Sequence, residues 1–217
     1  MNKKQIFVLI FSLFVLSSIF ASKSDFQFHW SIGTAAISYG DESKVLVNTL
    51  VNDDFTRMVL SGETGLSAKL DKTVRLVAGG NLVFDSLLKG SQSVFFLDYA
   101  VFGGIRVYPN LGGLNFGLEY NTGRRSNFYN LSEVFETRAS GTEKLEEDSS
   151  EEVFPEEKTP NYENNSTNWG NGFRLIAEYD FSYYTEGLAP VVGISYRRMP
   201  RGGFADNFFS FYFRLAF

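Results

Sequence analysis

The chain has 217 residues, a formal net charge of −5, no cysteine, and a high content of phenylalanine, tyrosine and glycine. This length is enough for one domain with a sizeable interior. The absence of cysteine excludes disulfides, thiolate metal sites, cysteine nucleophiles and N-terminal lipidation. The acidic balance argues against a nucleic-acid partner, because such a partner requires a concentrated basic surface.

Residues 1–21 have the pattern of a secretory signal peptide. Lys3 and Lys4 precede an apolar stretch at 6–20, and the small residue Ala21 follows it. The apolar stretch is shorter than the roughly 20 residues that a spanning helix needs, which favours cleavage after Ala21 over the alternative of an uncleaved membrane anchor. The predicted mature domain is therefore 22–217.

The mature domain divides into eight stretches with the alternation of β-strands. They lie at about 26–38, 56–70, 73–85, 94–108, 113–124, 172–184, 188–198 and 207–217. Most are long enough to cross a bilayer, since roughly 9–11 residues suffice for a tilted strand. The connections alternate between tight turns, at 71–72, 109–112 and 185–187, and longer or more polar segments, at 39–55, 86–93, 125–171 and 199–206. Short periplasmic turns and longer outer loops are typical of outer-membrane barrels.

Charged residues keep to one face along the central part of each predicted strand. The opposite face is free of charge there, up to Tyr120 in the fifth strand and Tyr196 in the seventh, as in Phe26, Phe28 and Trp30 of the first strand. A charge on the lipid face costs about 2–4 kcal/mol at the bilayer midplane, and this cost explains the segregation. The faces predicted to point inward carry Arg57, Glu63, Lys69, Arg75, Asp85, Asp98, Arg106, Glu119, Arg174, Glu178, Asp180, Arg197 and Arg214.

The last ten residues, FFSFYFRLAF, carry an apolar residue at every second position. They resemble the C-terminal signal of outer-membrane β-barrels, which ends on an aromatic residue and is read by the barrel assembly machinery. The residues of this predicted assembly signal are Phe209, Phe211, Phe213, Leu215 and Phe217.

The leader, the eight alternating segments, the order of the loops and the aromatic terminus together resemble the small outer-membrane proteins of the OmpA, OmpX and OmpW types. The resemblance implies an all-β fold, an eight-stranded antiparallel transmembrane β-barrel in the cell outer membrane. It also implies a monomer in contact with outer-membrane lipids.

The inward charges predict a plugged lumen. Eight strands enclose an interior that side chains about fill, and the two signs are nearly balanced. We expect Glu63, Asp98, Glu119 and Glu178 to pair with Arg75, Arg106 and Arg174, and Arg214 to point inward near His29. A large excess of one sign would instead have indicated an ion-selective channel.

The segment 125–171 departs most from the barrel pattern. Its middle, from Glu143 to Lys158, is rich in carboxylates and predicts a disordered outer loop. A surface segment that binds a divalent cation or an extracellular partner is one interpretation; a solvated acidic loop is the other.

No catalytic, cofactor-binding or metal-binding residue is assigned, and no cofactor is expected. His29 and Ser31 share a face, but the sequence places no acidic partner beside them, so a lipid-modifying enzyme is the least favoured class. The favoured function is a surface-exposed structural or interaction protein of the adhesin type. The alternative is an OmpW-like conduit for small hydrophobic molecules, which would need an apolar inner tunnel.

Overall fold

A computed structural model describes residues 26–131, 163–181 and 190–216. The predicted signal peptide, the predicted turn at 185–187, Phe217 and the middle of the acidic segment lie outside these residues. The elements are β1 (Phe26–Ser38), α1 (Ser43–Asn52), β2 (Thr56–Lys69), β3 (Val74–Lys89), β4 (Gln92–Leu111), β5 (Leu114–Asn130), β6 (Asn165–Ser166), β7 (Gly170–Asp180), β8 (Pro190–Pro200) and β9 (Ala205–Ala216).

The eight long strands close into a barrel. They are hydrogen-bonded in the order β4, β3, β2, β1, β9, β8, β7, β5, and β4 pairs with β5 to complete the ring. Every pairing is antiparallel. The short strand β6 pairs with β5 above the ring, at Ser126 and Asn127. The predicted eight-stranded antiparallel barrel is therefore confirmed.

The strand register determines the tilt of the barrel. One row of paired residues leaves β1 at Phe28 and returns to it ten residues further on, at Ser38. A shift of ten residues at about 3.3 Å each, over eight strands about 4.8 Å apart, gives a tilt of about 40°. The row runs through Leu66, Ala78, Gly103, Tyr120, Phe173, Arg198 and Asn207.

The two faces of the wall have opposite character, and the predicted orientation of all eight strands is confirmed. Large apolar side chains are exposed on the outside, among them Phe211 (55%) and Ile32 (54%). Charged side chains are buried inside, among them Arg106 and Glu119, both at 0%. A soluble protein would have the reverse arrangement, whereas an apolar belt around a polar interior is what lipid requires.

One end of the barrel, which we call the loop end, rises well above the apolar belt. β4 has 20 residues, which at this tilt rise about 50 Å, roughly twice the ~25 Å height of a lipid-facing belt. The other end, which we call the terminal end, contains Phe26, Ala216 and the turns at 70–73 and 112–113.

Three predictions about the connections at the loop end were wrong in detail. The segment 86–93 is strand except for a two-residue turn, in which Gly90 has φ 59°. The segment 199–206 is also a tight turn, closed by a bond from Arg201 N to Phe204 O of 2.9 Å. β5 continues to Asn130, so the predicted loop at 125–171 begins later than expected. In each case the strands continue because inward side chains beyond the belt still have a core to pack against.

The segment 39–55 contains a helix that the strand alternation did not predict. α1 buries Ser43, Leu46, Val47 and Leu50 and exposes the opposite side. Within the described ranges, no helix has the length and apolar character that crossing a membrane would require.

Candidate functional site: the closed lumen

The lower half of the lumen is filled by a group of ionic side chains centred on Arg106. Its guanidinium donates to Glu178 at 2.6 Å, to Glu119 at 3.0 Å and to Glu63 at 3.2 Å. All four residues are buried. A buried guanidinium is stable only when carboxylates satisfy its donors, and here three of them do.

Further groups complete this lower cluster, which we define as His29, Glu63, Arg106, Glu119, Arg174, Glu178, Tyr212 and Arg214. Arg214 donates to Glu178 at 2.6 Å, and the Tyr212 hydroxyl donates to the same carboxylate at 2.7 Å. Arg174 bridges Glu63 and Glu119. His29 Nε2 lies 3.2 Å from Glu63 Oε1.

Glycine in the wall makes room for the lower cluster. A Cβ atom on Gly193 would lie 2.5 Å from the Tyr212 ring, and one on Gly104 would lie 2.9 Å from the Glu119 side chain. Both distances are shorter than real contacts allow. The inward glycines therefore let large polar side chains of one strand lie flat over the neighbouring strand.

A second ionic group, the upper cluster, lies toward the loop end and consists of Asp41, Asp98, Arg125, Arg197, Arg201 and Asp206. Arg197 donates to Asp98 at 2.6 Å, and Arg201 donates to Asp98 and, at 3.0 Å, to Asp206. Arg125 donates to Asp206 at 2.7 Å and to Asp41. Since Asp41 lies two residues before α1, this contact ties the start of the helix to the wall of β5.

The loop end is covered by an apolar cap. Leu46, Val47 and Leu50 of α1 pack with Tyr39, Phe55, Leu87, Val94 and Phe96. Arg125 lies beneath this cap, with its guanidinium carbon 4.6 Å from the Tyr39 ring centre. The Tyr39 hydroxyl donates to Asp85 at 2.7 Å, and burial followed by the negative charge of Asp85 raises the pKa of Tyr39 well above its ordinary value. The cap therefore rests on a hydrogen-bonded polar layer.

Little free space remains between the two clusters. A cavity of about 20 Å³ is lined by serine and asparagine side chains together with Glu63, Arg174 and Arg197. This volume has room for about one water molecule, and the lining offers polar partners for it. The lumen is packed at this level by these polar side chains together with a buried apolar group, Ala35, Val83, Ala100, Met199 and Phe208.

The structure places the predicted network residues in three groups. Glu63, Arg106, Glu119, Arg174, Glu178 and Arg214 lie together in the lower cluster. Asp98 does not reach them, because it lies nearer the loop end and pairs with Arg197 and Arg201. Arg75 lies at the terminal end, half-buried, and donates to Ser67 at 3.3 Å; no carboxylate of the described residues pairs with it.

The roles of Arg125, Arg201 and Asp206 were not predicted from the sequence. All three are 0% exposed, yet their positions fell in or beside predicted loops. The signal that could have identified Arg125 is its phase, since it continues the inward alternation of Glu119 and Asn121.

Among the described residues, Ser31, His29 and Glu63 do not make the chain of hydrogen bonds of a serine hydrolase triad. Glu63 supplies His29 with an acidic neighbour, but no hydrogen bond joins Ser31 to His29 in the described part of the chain. Both residues are buried, at 1% and 6% exposure. The described residues also contain no group of three or more metal-ligating side chains.

The closed ring, the apolar belt and the polar interior define the class of the protein: it is a small eight-stranded outer-membrane β-barrel. No protein-family model and no curated protein matches the chain. Among solved structures, it is similar to Ail of Yersinia pestis, with 11% identity, a TM-score of 0.49, and coverage of 89% of this chain and 100% of that one.

Two further similarities are of the same kind. Neisserial surface protein A has 10% identity and a TM-score of 0.47, with 89% of this chain and 98% of that chain covered. OprG from Pseudomonas aeruginosa has 14% identity and a TM-score of 0.32, with coverage of 88% and 95%. The class of the chain rests on its own strand pairing and burial.

Proposed function

We propose that this barrel acts through its outer surface, as a structural or adhesin-like interaction protein of the outer membrane, and does not conduct solutes. The observation that carries the proposal is the closure of the lumen at three successive levels: the lower cluster, the upper cluster and the apolar cap. The lower cluster alone joins five of the eight long strands through its arginine–glutamate pairs, namely β2, β4, β5, β7 and β9.

The charge balance of the lumen supports the same conclusion. In the lower cluster, Arg106, Arg174 and Arg214 face Glu63, Glu119 and Glu178. In the upper cluster, three arginines face three aspartates. A lumen without excess charge has no field to select an ion, and ion pairs of this kind replace the water that a conducting pore would hold.

The surface offered to a partner lies at the loop end. There the acidic segment, which falls mainly in the undescribed residues 132–162, joins the end of β5 to β6. Asn164 anchors its return, accepting from the backbone N–H of Tyr129 at 2.8 Å. We expect this segment to contact an extracellular partner or a divalent cation. Separately, we expect assembly of the barrel to depend on the assembly machinery that reads the terminal strand.

Adhesion of cells that display the barrel tests this function. Non-adherent bacteria expressing the intact chain would be compared with a deletion of 140–162, which spares β6, and with a scrambled segment of the same composition. We expect the intact chain to bind animal cells or matrix proteins, and the deletion to abolish binding while the heat-modifiable barrel persists. Equal adhesion by the deletion variant would contradict the interaction proposal. If the scrambled variant still adhered, the negative charge of the segment, and not its residue order, would mediate the binding.

The conduit for hydrophobic molecules has less support. It requires an apolar tunnel with a sideways exit, whereas β2 and β3 pair continuously from Thr56 and Leu88 to Lys69 and Arg75. The lumen behind this wall is lined by charged and polar side chains, such as Glu63 and Asn81, interspersed with Val83, so its apolar surface is interrupted. A non-catalytic protein is likewise favoured over an enzyme, because His29 and Glu63 lie in the packed core, out of reach of a lipid substrate.

A further inference from the structure

The outer wall formed by β2, β3 and β4 carries a groove of about 520 Å³. The residues that line it include the outward-facing Gly62, Thr64, Gly80 and Val101, near the middle of the belt. A Cβ atom on Gly62 or Gly80 would approach no protein atom closer than 3.8 Å. These two glycines are therefore not needed for packing within the wall, unlike those that face the lumen. Their effect is to leave space on the lipid side.

The groove ends toward the loop end at an aromatic pair. Tyr99 and Trp169 meet edge to face, with ring centres 6.3 Å apart and an interplanar angle of 89°. Tyrosine and tryptophan are the residues that lie at the level of lipid headgroups. The groove therefore runs from the level of the acyl chains to the level of the headgroups.

A cation without a protein partner lies beside this pair. Arg124 is directly opposite Tyr99 in the register of β4 and β5, so the two side chains leave the same face about 5 Å apart. Within the described ranges, Arg124 makes no ion pair, and its Nε is buried without a hydrogen-bond partner. By contrast, the neighbouring Arg125 points inward and is saturated by aspartates.

The height of Arg124 matches the upper edge of the belt. In the register, Arg124 lies within about 5 Å, along the barrel axis, of the outward polar residues Arg198 and Asn207 on the far side. A cation at this height, above an apolar groove, is complementary to a lipid phosphate whose acyl chain enters the groove.

We propose that the groove and Arg124 form a binding site for one phosphate-bearing anionic lipid of the surrounding leaflet. One acyl chain lies over Gly62 and Gly80, and the phosphate accepts hydrogen bonds from the Arg124 guanidinium. This site depends on the location of the barrel in a membrane and is independent of the interaction function proposed above.

Quenching of Trp169 fluorescence by brominated lipid tests the site. The chain has two tryptophans, so a Trp30→Phe background leaves Trp169 as the only emitter. The barrel is reconstituted in phosphatidylcholine bilayers that contain equal fractions of either dibrominated phosphatidylglycerol or dibrominated phosphatidylcholine. We expect the anionic lipid to associate about fivefold more strongly near Trp169, the factor that one basic residue at an anionic surface supplies.

Matched variants distinguish a specific lipid site at Arg124 from a general attraction of anionic lipids to the basic residues at this height of the barrel. Arg124→Gln should reduce the anionic preference to near one, whereas Arg198→Gln, an outward arginine at similar height, should retain it. Gly80→Leu, or Gly62→Leu if the first does not fold, should lower quenching by both lipids because it fills the groove. Heat-modifiable migration verifies folding of each variant. Equal quenching by the two lipids in the parent, or equal loss with Arg198→Gln and Arg124→Gln, would overturn the proposal.

Discussion

Replacing Arg106 by methionine tests the lower cluster most severely. The side chain is 0% exposed and donates to three carboxylates, so its removal leaves two arginines beside three glutamates in the closed lumen. Breaking a buried ion pair in this way typically costs about 3–5 kcal/mol. Arg174 still contacts Glu63 and Glu119, and Arg214 still contacts Glu178, so no carboxylate loses every partner. We therefore expect the lower end of that range, about 3 kcal/mol.

Urea unfolding in lipid vesicles, followed by tryptophan emission, measures this loss. With a slope of about 2 kcal/mol per molar urea, Arg106→Met should lower the midpoint by roughly 1.5 M. Arg75→Met is the matched control, because Arg75 is half-buried with one hydrogen bond to Ser67, and it should shift the midpoint by less than ~0.5 M. The double variant Arg106→Met, Glu119→Gln should recover part of the lost midpoint, because it leaves two arginines facing two glutamates in the lower cluster. Equal midpoints for Arg106→Met and the parent would refute the assignment of Arg106 as the centre of the core.

Three other predictions concern the belt, a turn and the terminus. Ile194→Arg, on the lipid face, should lower the unfolding free energy by about 2–4 kcal/mol, whereas Thr56→Arg, above the belt, should change it by less than ~1 kcal/mol; similar losses in the same urea assay would contradict the assigned belt. Hydrogen bonds from the Thr73 backbone, the Thr73 side chain and the Val74 backbone lower the pKa of Asp71. The ionised carboxylate therefore stabilises its turn fully above the ordinary carboxyl pKa, and this stabilisation is lost as the pH falls through the lowered pKa. Asp71→Ala should remove this acid sensitivity from the amide exchange of Thr73, and an unchanged pH profile would count against it. Deleting Phe217 should reduce the amount of barrel in the outer membrane more than its stability once folded; wild-type levels after the deletion would refute the assembly role.

The strands and their faces could be predicted from the sequence because a period of two is a local property. Each strand must hide its charges from lipid, and this requirement is visible in the order of residues alone, as in the outward Phe209, Phe211 and Phe213. The pairings inside the lumen could not be predicted, since they join residues far apart in sequence. Arg106 meets Glu178 of β7, two strands away in the ring, and nothing in either strand specifies that partner.

The cap was missed for a different reason. Leu46, Val47 and Leu50 have the spacing of an apolar helical face, but they lie in a short segment between two strands, where the barrel pattern predicts a loop. Leu87 was assigned to a polar loop as well, because the outward residues near it are no longer uniformly apolar. Once α1 is placed over the loop end, inward residues such as Leu87 have a core to fill, and the length of β3 and β4 follows.

Conductance in planar bilayers tests the central claim, which is that the lumen is closed. The purified full chain, verified as a heat-modifiable barrel, would be inserted at a defined number of copies under an applied voltage. We predict no stable open level above the baseline, because described side chains occupy the lumen at the lower cluster, the upper cluster and the cap. Large and steady single-channel steps from the folded protein would contradict a closed lumen, and with it the proposal that this barrel works through its outer surface.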